Sequence, residues 1–176
     1  MCDFVVPREG GFLADYLAYS KGGEVYSPAL QDENNNLAKT YLIMDDVTDE
    51  IAGYFSLKAG FVATNYGSFI RKNEFDSIPG IELSNFAVNE TYKQNHKEYE
   101  GIGYVIFEDF IIPKIVEAQK IVGVKILYLF ALPRTKLIER YKEYGFTQLS
   151  TYQQRKMHRH IRPRYDAGCI FMYQVI

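Results

Sequence analysis

"EYEGIGYVIFEDFI", residues 98–111, decides the fold. It sets Gly101 and Gly103 one residue apart and then runs at once into an apolar helical pattern. Phe107, Ile111, Ile115, Ala118 and Val122 recur at spacings of four and three, one stripe facing a core, which predicts a helix from about Gly103 to Gln119. Pro113 lacks the N–H that would reach Asp109, so a kink is expected there. Glycine inside a helix costs roughly 0.5–1 kcal/mol against alanine, so two of them at its start want a reason. A phosphate would supply one. A helix N-terminus offers unpaired N–H groups and a positive dipole end, and missing side chains let a pyrophosphate come close. A glycine turn before a core helix is the plainer alternative.

Working outward, "IELSNFAV" (81–88) reads as a buried strand and "VKILYLFAL" (124–132) as another. The helix joins them, so this pair should be parallel with a right-handed crossover. Upstream, "TYLIMDD" (40–46) and "IAGYFSLKAGFVAT" (51–64) read as an antiparallel hairpin turning through Asp45, Asp46 and Thr48 to Glu50. "SFIRKNEFDSIPG" (68–80) reads as a connection, "GGFLADYLAYSKGG" (10–23) as a short helix and "SPALQDENNNLAKT" (27–40) as a loop or loose helix. Downstream, "PRTKLIERYKEYGF" (133–146) has Pro133 placed to start a helix and Gly145 to end one. A last hairpin, "GFTQLSTY" with "GCIFMYQVI", encloses the basic stretch "QRKMHRHIRPR" (154–164). The expected fold is therefore a single α/β (α+β) domain over residues 1–176, built on a mixed, mostly antiparallel sheet.

A chain of 176 residues can bury about 70% of its unfolded surface, and 47% apolar with 24% charged residues suits an ordinary globule. A net charge of −2 argues against a protein built mainly to coat nucleic acid. Cys2 and Cys169 make no disulfide framework, which points to a reducing compartment. With no long apolar run and no basic leader, a cytoplasmic location and no membrane contact are expected.

Three segments, in this order and spacing, resemble the GCN5-related N-acetyltransferase (GNAT) superfamily. They are the strand ending in Ala87-Val88, the loop and helix "EGIGYVIFEDFI", and "LIERYKEYGF" with its tyrosine four residues before Gly-Phe. The hairpin "TYLIMDD…IAGYFSLKAG" is similar to that family's central strands. The resemblance implies a GNAT-like sheet whose central parallel pair splays apart, with flanking helices and acetyl-CoA as co-substrate. It implies that Phe86, Ala87 and Val88 bond the pantetheine arm and that Gly101, Ile102, Gly103 and Tyr104 cradle the pyrophosphate. The chain departs from the pattern at Glu98, where the family commonly has Gln or Arg, and in a longer connection from Val88 to Gly101. Lys93, His96 and Lys97 lie in that connection, either as countercharge for a phosphate or as a solvated loop.

Acetylating an amine needs a base for the ammonium proton and a donor for the leaving thiolate. The resemblance gives the donor role to Tyr141, and by position it gives a base role to Glu82, with Ser84 and Asn85 able to orient a water instead. Neither cysteine sits in a nucleophile motif, so transfer should be direct. The segment Arg155 to Arg164 reads as the end of the last hairpin, where a basic loop could meet an acidic substrate or RNA backbone. His158 and His160 would share a strand face, but no Cys, Asp or Glu lies close by, so no metal is expected. The expected activity is N-acetylation of a primary amine on a small molecule, a peptide or an aminoacyl group. The alternatives are a toxin-type GNAT acetylating aminoacyl-tRNA, and a non-catalytic domain that binds acyl-CoA or a partner. A homodimer is compatible with any of these.

Overall fold

A computed structural model describes residues 14–21, 23–66, 75–160 and 168–176. It opens with a short helix α1 (Ala14–Leu17) and a small antiparallel pair, β1 (Tyr19–Lys21) with β2 (Glu24–Tyr26). The sequence pattern suggested a short helix between the two Gly-Gly pairs of residues 10–23; within the described part it is Ala14–Leu17. The loose-helix alternative for the next segment holds as α2 (Pro28–Asn34). Its start is set by Pro28 in the first turn and by Ser27, whose Oγ accepts from the Leu30 N–H at 3.1 Å.

The hairpin is present as β3 (Lys39–Met44) and β4 (Ile51–Tyr66), antiparallel with Tyr41 opposite Phe55 and Ile43 opposite Gly53. Asp45 closes its turn by accepting from the Val47 and Thr48 N–H groups at 2.9 and 3.3 Å. Strand β5 runs Phe75–Val88, so the stretch read as a connection up to Gly80 is strand from Phe75 onward. Pro79 is tolerated there because only its carbonyl is needed, accepting from the Lys125 N–H at 3.0 Å. The Asn89 N–H reaches the Ala52 carbonyl and the Ser84 hydroxyl the Ser56 carbonyl, so β4 and β5 run antiparallel.

The connection from Val88 to Gly101 is not all loop. It holds α3 (Glu90–Asn95), capped by Asn89 Oδ1 on the Thr91 and Tyr92 N–H groups. The central helix follows as α4 (Ile102–Val105), a π-helical stretch (Ile106–Ile111) and α5 (Ile112–Gln119). The wider π turn lies immediately before Pro113, where the sequence led us to expect an irregularity in the helix. That spacing removes the demand for a Pro113 N–H at the Asp109 carbonyl. Phe107, Ile111 and Ile115 are fully buried, as the stripe required, whereas Val122 lies past the helix end and is exposed.

Strand β6 (Ile126–Ala131) pairs in parallel with β5 at Gly80–Ile126, Ile81–Leu127 and Glu82–Tyr128. Both strands continue beyond the last pair, β5 to Val88 and β6 to Ala131. Helix α6 (Thr135–Glu143) ends as its sequence demanded. Gly145 sits at φ +88°, and the Phe146 N–H bonds back to the Tyr141 carbonyl at 2.9 Å. Then come β7 (Thr147–Gln148), α7 (Thr151–His160) and β8 (Ile170–Val175), with β8 antiparallel to both β6 and β7. The basic segment is thus helical from its start, not a hairpin end. Arg162 and Arg164 lie outside the described residues.

Among the described residues the main sheet has the order β3-β4-β5-β6-β8-β7, mixed but mostly antiparallel, with helices flanking it. None of the described helices is long and apolar enough to cross a membrane. The chain forms two compact units. The first takes the chain up to Lys58 and again Ser84–Ile111; the second takes Ala59–Leu83 and Ile112–Ile176. One core cluster of the first unit is Tyr16, Leu17, Ala29 and Tyr54. In the second unit Val62, Ile126, Tyr128, Met157 and Phe171 pack together.

Candidate functional site

The glycine turn belongs to the first unit. Gly101 adopts φ +80° at the N-cap of α4, a left-handed conformation that costs any other residue except Asn or Asp more than glycine. A side chain there would meet nothing within 4 Å. Of the four residues expected to cradle a pyrophosphate, two have their amides engaged. The Ile102 N–H donates to the Tyr99 carbonyl at 3.2 Å, and the Tyr104 N–H to the Gly101 carbonyl at 2.7 Å. Among the described residues, the N–H groups of Gly101 and Gly103 have no acceptor. The two glycines that raised the question thus carry the two unspent donors, at the positive end of a helical run.

Gly53 brings the strand end and the helix start together. A Cβ on Gly53 would lie 2.7 Å from the Ala87 carbonyl oxygen and 2.9 Å from Ile106 Cδ1, so only glycine lets β4 pass this close. Asn89 adds a tie, donating from its side-chain amide to the Ile51 carbonyl at 2.7 Å. Phe86, Ala87 and Val88 are half-buried beside this junction. Sequence reading passed over Gly53. Its signal was an isolated glycine inside a strand pattern.

A clasp on the same unit holds the segment that leads into the glycines. His96 Nε2 lies 2.6 Å from Glu50 Oε2 and Nδ1 3.3 Å from Glu98 Oε1. Its ring stacks on Tyr92 at 4.2 Å, and the Tyr92 hydroxyl donates to Asp45 Oδ2 at 2.6 Å. The bond to Glu50 above all raises the His96 pKa, desolvation opposes it, and Glu98 adds a lesser rise. The Tyr92 bond holds the Asp45 carboxyl below its usual range. His96 therefore answers two carboxylates of this chain instead of waiting as countercharge, and the Glu98 side chain is turned to it. Lys93 lies 4.0 Å from Glu90, both exposed.

The acid–base candidates belong to the second unit. Tyr141, on α6, is half-buried with Leu137 and Ile138, and its ring meets Tyr144 and Phe146 edge-on at 6.1 and 5.7 Å. Burial pushes its pKa up, Tyr144 adds to the rise and Arg140 opposes it, so the phenol stays protonated at neutral pH. Among the described residues its hydroxyl has no hydrogen-bond partner. Glu82 accepts from the Tyr128 hydroxyl at 3.5 Å, and Tyr128 in turn has its pKa raised by burial and by that carboxylate. The Tyr128 ring fits because β4 offers Gly60 beneath it: a Cβ there would land on the Tyr128 hydroxyl. In the first unit, Ser84 has spent its hydroxyl on the Ser56 carbonyl at 3.2 Å, which weakens it as an orienter of water. Asn85 is buried. His158 and His160 belong to helix α7, so the strand face that they were expected to share does not form.

No family model and no curated protein matches this sequence. The likeness is one of fold. A bacterial toxin superposes with a TM-score of 0.60 at 20% identity, covering 83% of this chain and 72% of that one. The toxin AtaT, bound to the C-terminus of the antitoxin AtaR and acetyl-CoA, superposes with a TM-score of 0.57 at 15% identity, covering 83% and 72%. AtaT complexed with acetyl-methionyl-tRNAfMet gives 0.55 at 18% identity, covering 81% and 75%. The chain has the GNAT fold that its motifs implied.

Proposed function

We propose that this chain moves the acetyl group of acetyl-CoA onto the amino group of an aminoacyl-tRNA by direct transfer. The observation that carries the reading is the pair of unspent N–H groups at Gly101 and Gly103, beside the β5 end that Gly53 holds in place. They suit the pyrophosphate of a CoA ester, and the backbone of Phe86 to Val88 suits its pantetheine arm. AtaT, of like fold, is bound to acetyl-CoA in one structure and complexed with acetyl-methionyl-tRNAfMet in another, which favours an aminoacyl acceptor over a free small amine.

In the proposed reaction the amine first loses its extra proton to Glu82 or to water. Its lone pair then attacks the thioester carbonyl carbon, and the C–S bond breaks as the amide forms. The departing thiolate takes a proton from the Tyr141 hydroxyl, which its raised pKa keeps protonated. The phenol regains that proton from solvent. The test is to incubate the protein with acetyl-CoA and total charged tRNA, then identify N-acetylated aminoacyl groups by mass spectrometry. CoA release with small amines alone, and none with charged tRNA, would overturn the acceptor. No CoA release with any amine would overturn the enzyme.

A further inference from the structure

Helix α7 sorts its residues by face. Gln154 and Met157 are buried and His158 is half-buried, whereas Tyr152, Arg155, Lys156 and Arg159 are exposed. The exposed four stand at i, i+3, i+4 and i+7, a single stripe along the helix. Residues 144–165 hold five of the chain's 20 Lys and Arg and none of its 22 Asp and Glu. On two other described helices a surface lysine is balanced within the helix: Lys114 pairs with Glu117 at 2.8 Å and Lys93 with Glu90 at 4.0 Å. On α7, Arg159 follows Arg155 and Lys156 by four and three residues, a like-charge spacing that weakens a helix unless an anion answers it.

The helix is built to hold still under that load. Ser150 and Gln153 form a reciprocal cap, the Ser150 N–H donating to Gln153 Oε1 at 3.0 Å and the Gln153 N–H to Ser150 Oγ at 3.4 Å. The Gln154 side chain bonds the Phe171 backbone twice, Nε2 donating to the carbonyl at 2.7 Å and Oε1 accepting from the N–H at 3.0 Å. Met157 packs into the core beside Phe171. At the surface Lys156 Nζ lies 4.8 Å from the centre of the Tyr152 ring, which is 66% exposed.

We infer that this face of α7 is a docking surface for the RNA backbone of the acceptor, with Arg155, Lys156 and Arg159 on phosphates and Tyr152 offering its ring to an unpaired base. The inference rests on the aminoacyl-tRNA reading above. A net charge of −2 makes such a stripe a local device, not a consequence of a basic protein. An exposed aromatic among the cations favours RNA over an acidic protein, because every base has a face to stack.

The test measures tRNA binding to the full chain by anisotropy across a salt series. It compares wild type with the triple variant Arg155→Gln, Lys156→Gln, Arg159→Gln. A second triple, Lys120→Gln, Lys125→Gln, Lys136→Gln, removes equal charge from exposed positions elsewhere. The α7 variant should lower the slope of log affinity against log salt by about 3, roughly one for each phosphate that is no longer neutralised, while the control triple leaves it near wild type. Tyr152→Ala should weaken binding at every salt concentration with the slope unchanged. Acetyl-CoA affinity should stay as in wild type for all variants. Equal slopes in both triples, or displacement of tRNA by polyglutamate at equal charge, would overturn the surface assignment. So would the absence of tRNA binding by wild type. If binding depends on α7 yet no acetyl group is transferred, the proposed reaction falls and the surface stands.

Discussion

The sharpest consequence of the glycine turn is that its two glycines should fail differently when replaced. Gly103 lies inside helical backbone, where valine is better than glycine by a few tenths of a kcal/mol. Gly103→Val should therefore melt at or slightly above the wild-type temperature. Its branched side chain shields the unspent N–H, and one hydrogen bond to a charged group contributes about 1.5–3 kcal/mol, so acetyl-CoA affinity should fall about 10- to 100-fold. Gly101→Ala behaves otherwise. At φ +80° alanine costs roughly 1–2 kcal/mol, and with nothing within 4 Å there is no clash to add. The melting temperature should drop about 2–8 °C for a chain of this length. Its methyl also occupies the open space a phosphate would fill, so affinity should fall as well. Calorimetric titration with acetyl-CoA, beside thermal melts, reads both quantities. A folded Gly103→Val that binds acetyl-CoA as tightly as wild type would refute the pyrophosphate site, leaving Gly101 as a turn residue only.

Tyr141→Phe should cut turnover at least tenfold with little change in the Michaelis constant for acetyl-CoA, since a general acid contributes about 10²–10⁴-fold. Because the Tyr141 pKa is raised, the wild-type rate should not decline through phenol ionisation until above pH 10. Wild-type turnover in Tyr141→Phe, with Tyr144→Phe as control, would make the residue a packing group. For His96, the folded pKa lies above the unfolded value near 6.5. The clasp with Glu50 and Glu98, under the Tyr92 and Tyr99 rings, stabilises fully below that value and is lost as pH rises through the folded pKa. Denaturant melts should show this decline above pH 6.5 in wild type but not in His96→Gln; the same decline in both would show that other groups carry it. Gly60→Ala should cost about 1–3 kcal/mol by overpacking against the Tyr128 hydroxyl, and less in a Tyr128→Phe background, where the nearest ring atom lies 3.1 Å away. Equal costs in both backgrounds would remove that hydroxyl as the cause.

What the chain declares locally, its sequence determined. The β3–β4 hairpin has alternation and a capped Asp turn; the central helix has its stripe; α6 has Pro133 before it and Gly145 after it. Each signal acts within a few residues, where propensity and periodicity are strong. Even the missed α7 carried one, the Ser150-to-Gln153 cap, overlooked because the run of cations between two short strands read as a hairpin end. What commits α7 is Gln154 reaching the Phe171 backbone, seventeen residues on, a bond that exists only after β8 has joined the sheet. The same holds for the site. His96 finds Glu50 across 46 residues. Gly53 and Gly60 are plain strand glycines until one knows that the Ala87 carbonyl and the Tyr128 hydroxyl lie against them. Which N–H groups at Gly101 to Tyr104 stay unspent also depends on how the turn closes, with Ile102 on Tyr99 and Tyr104 on Gly101. Close approach is a property of pairs of strands and turns, and a sequence lists its residues one at a time.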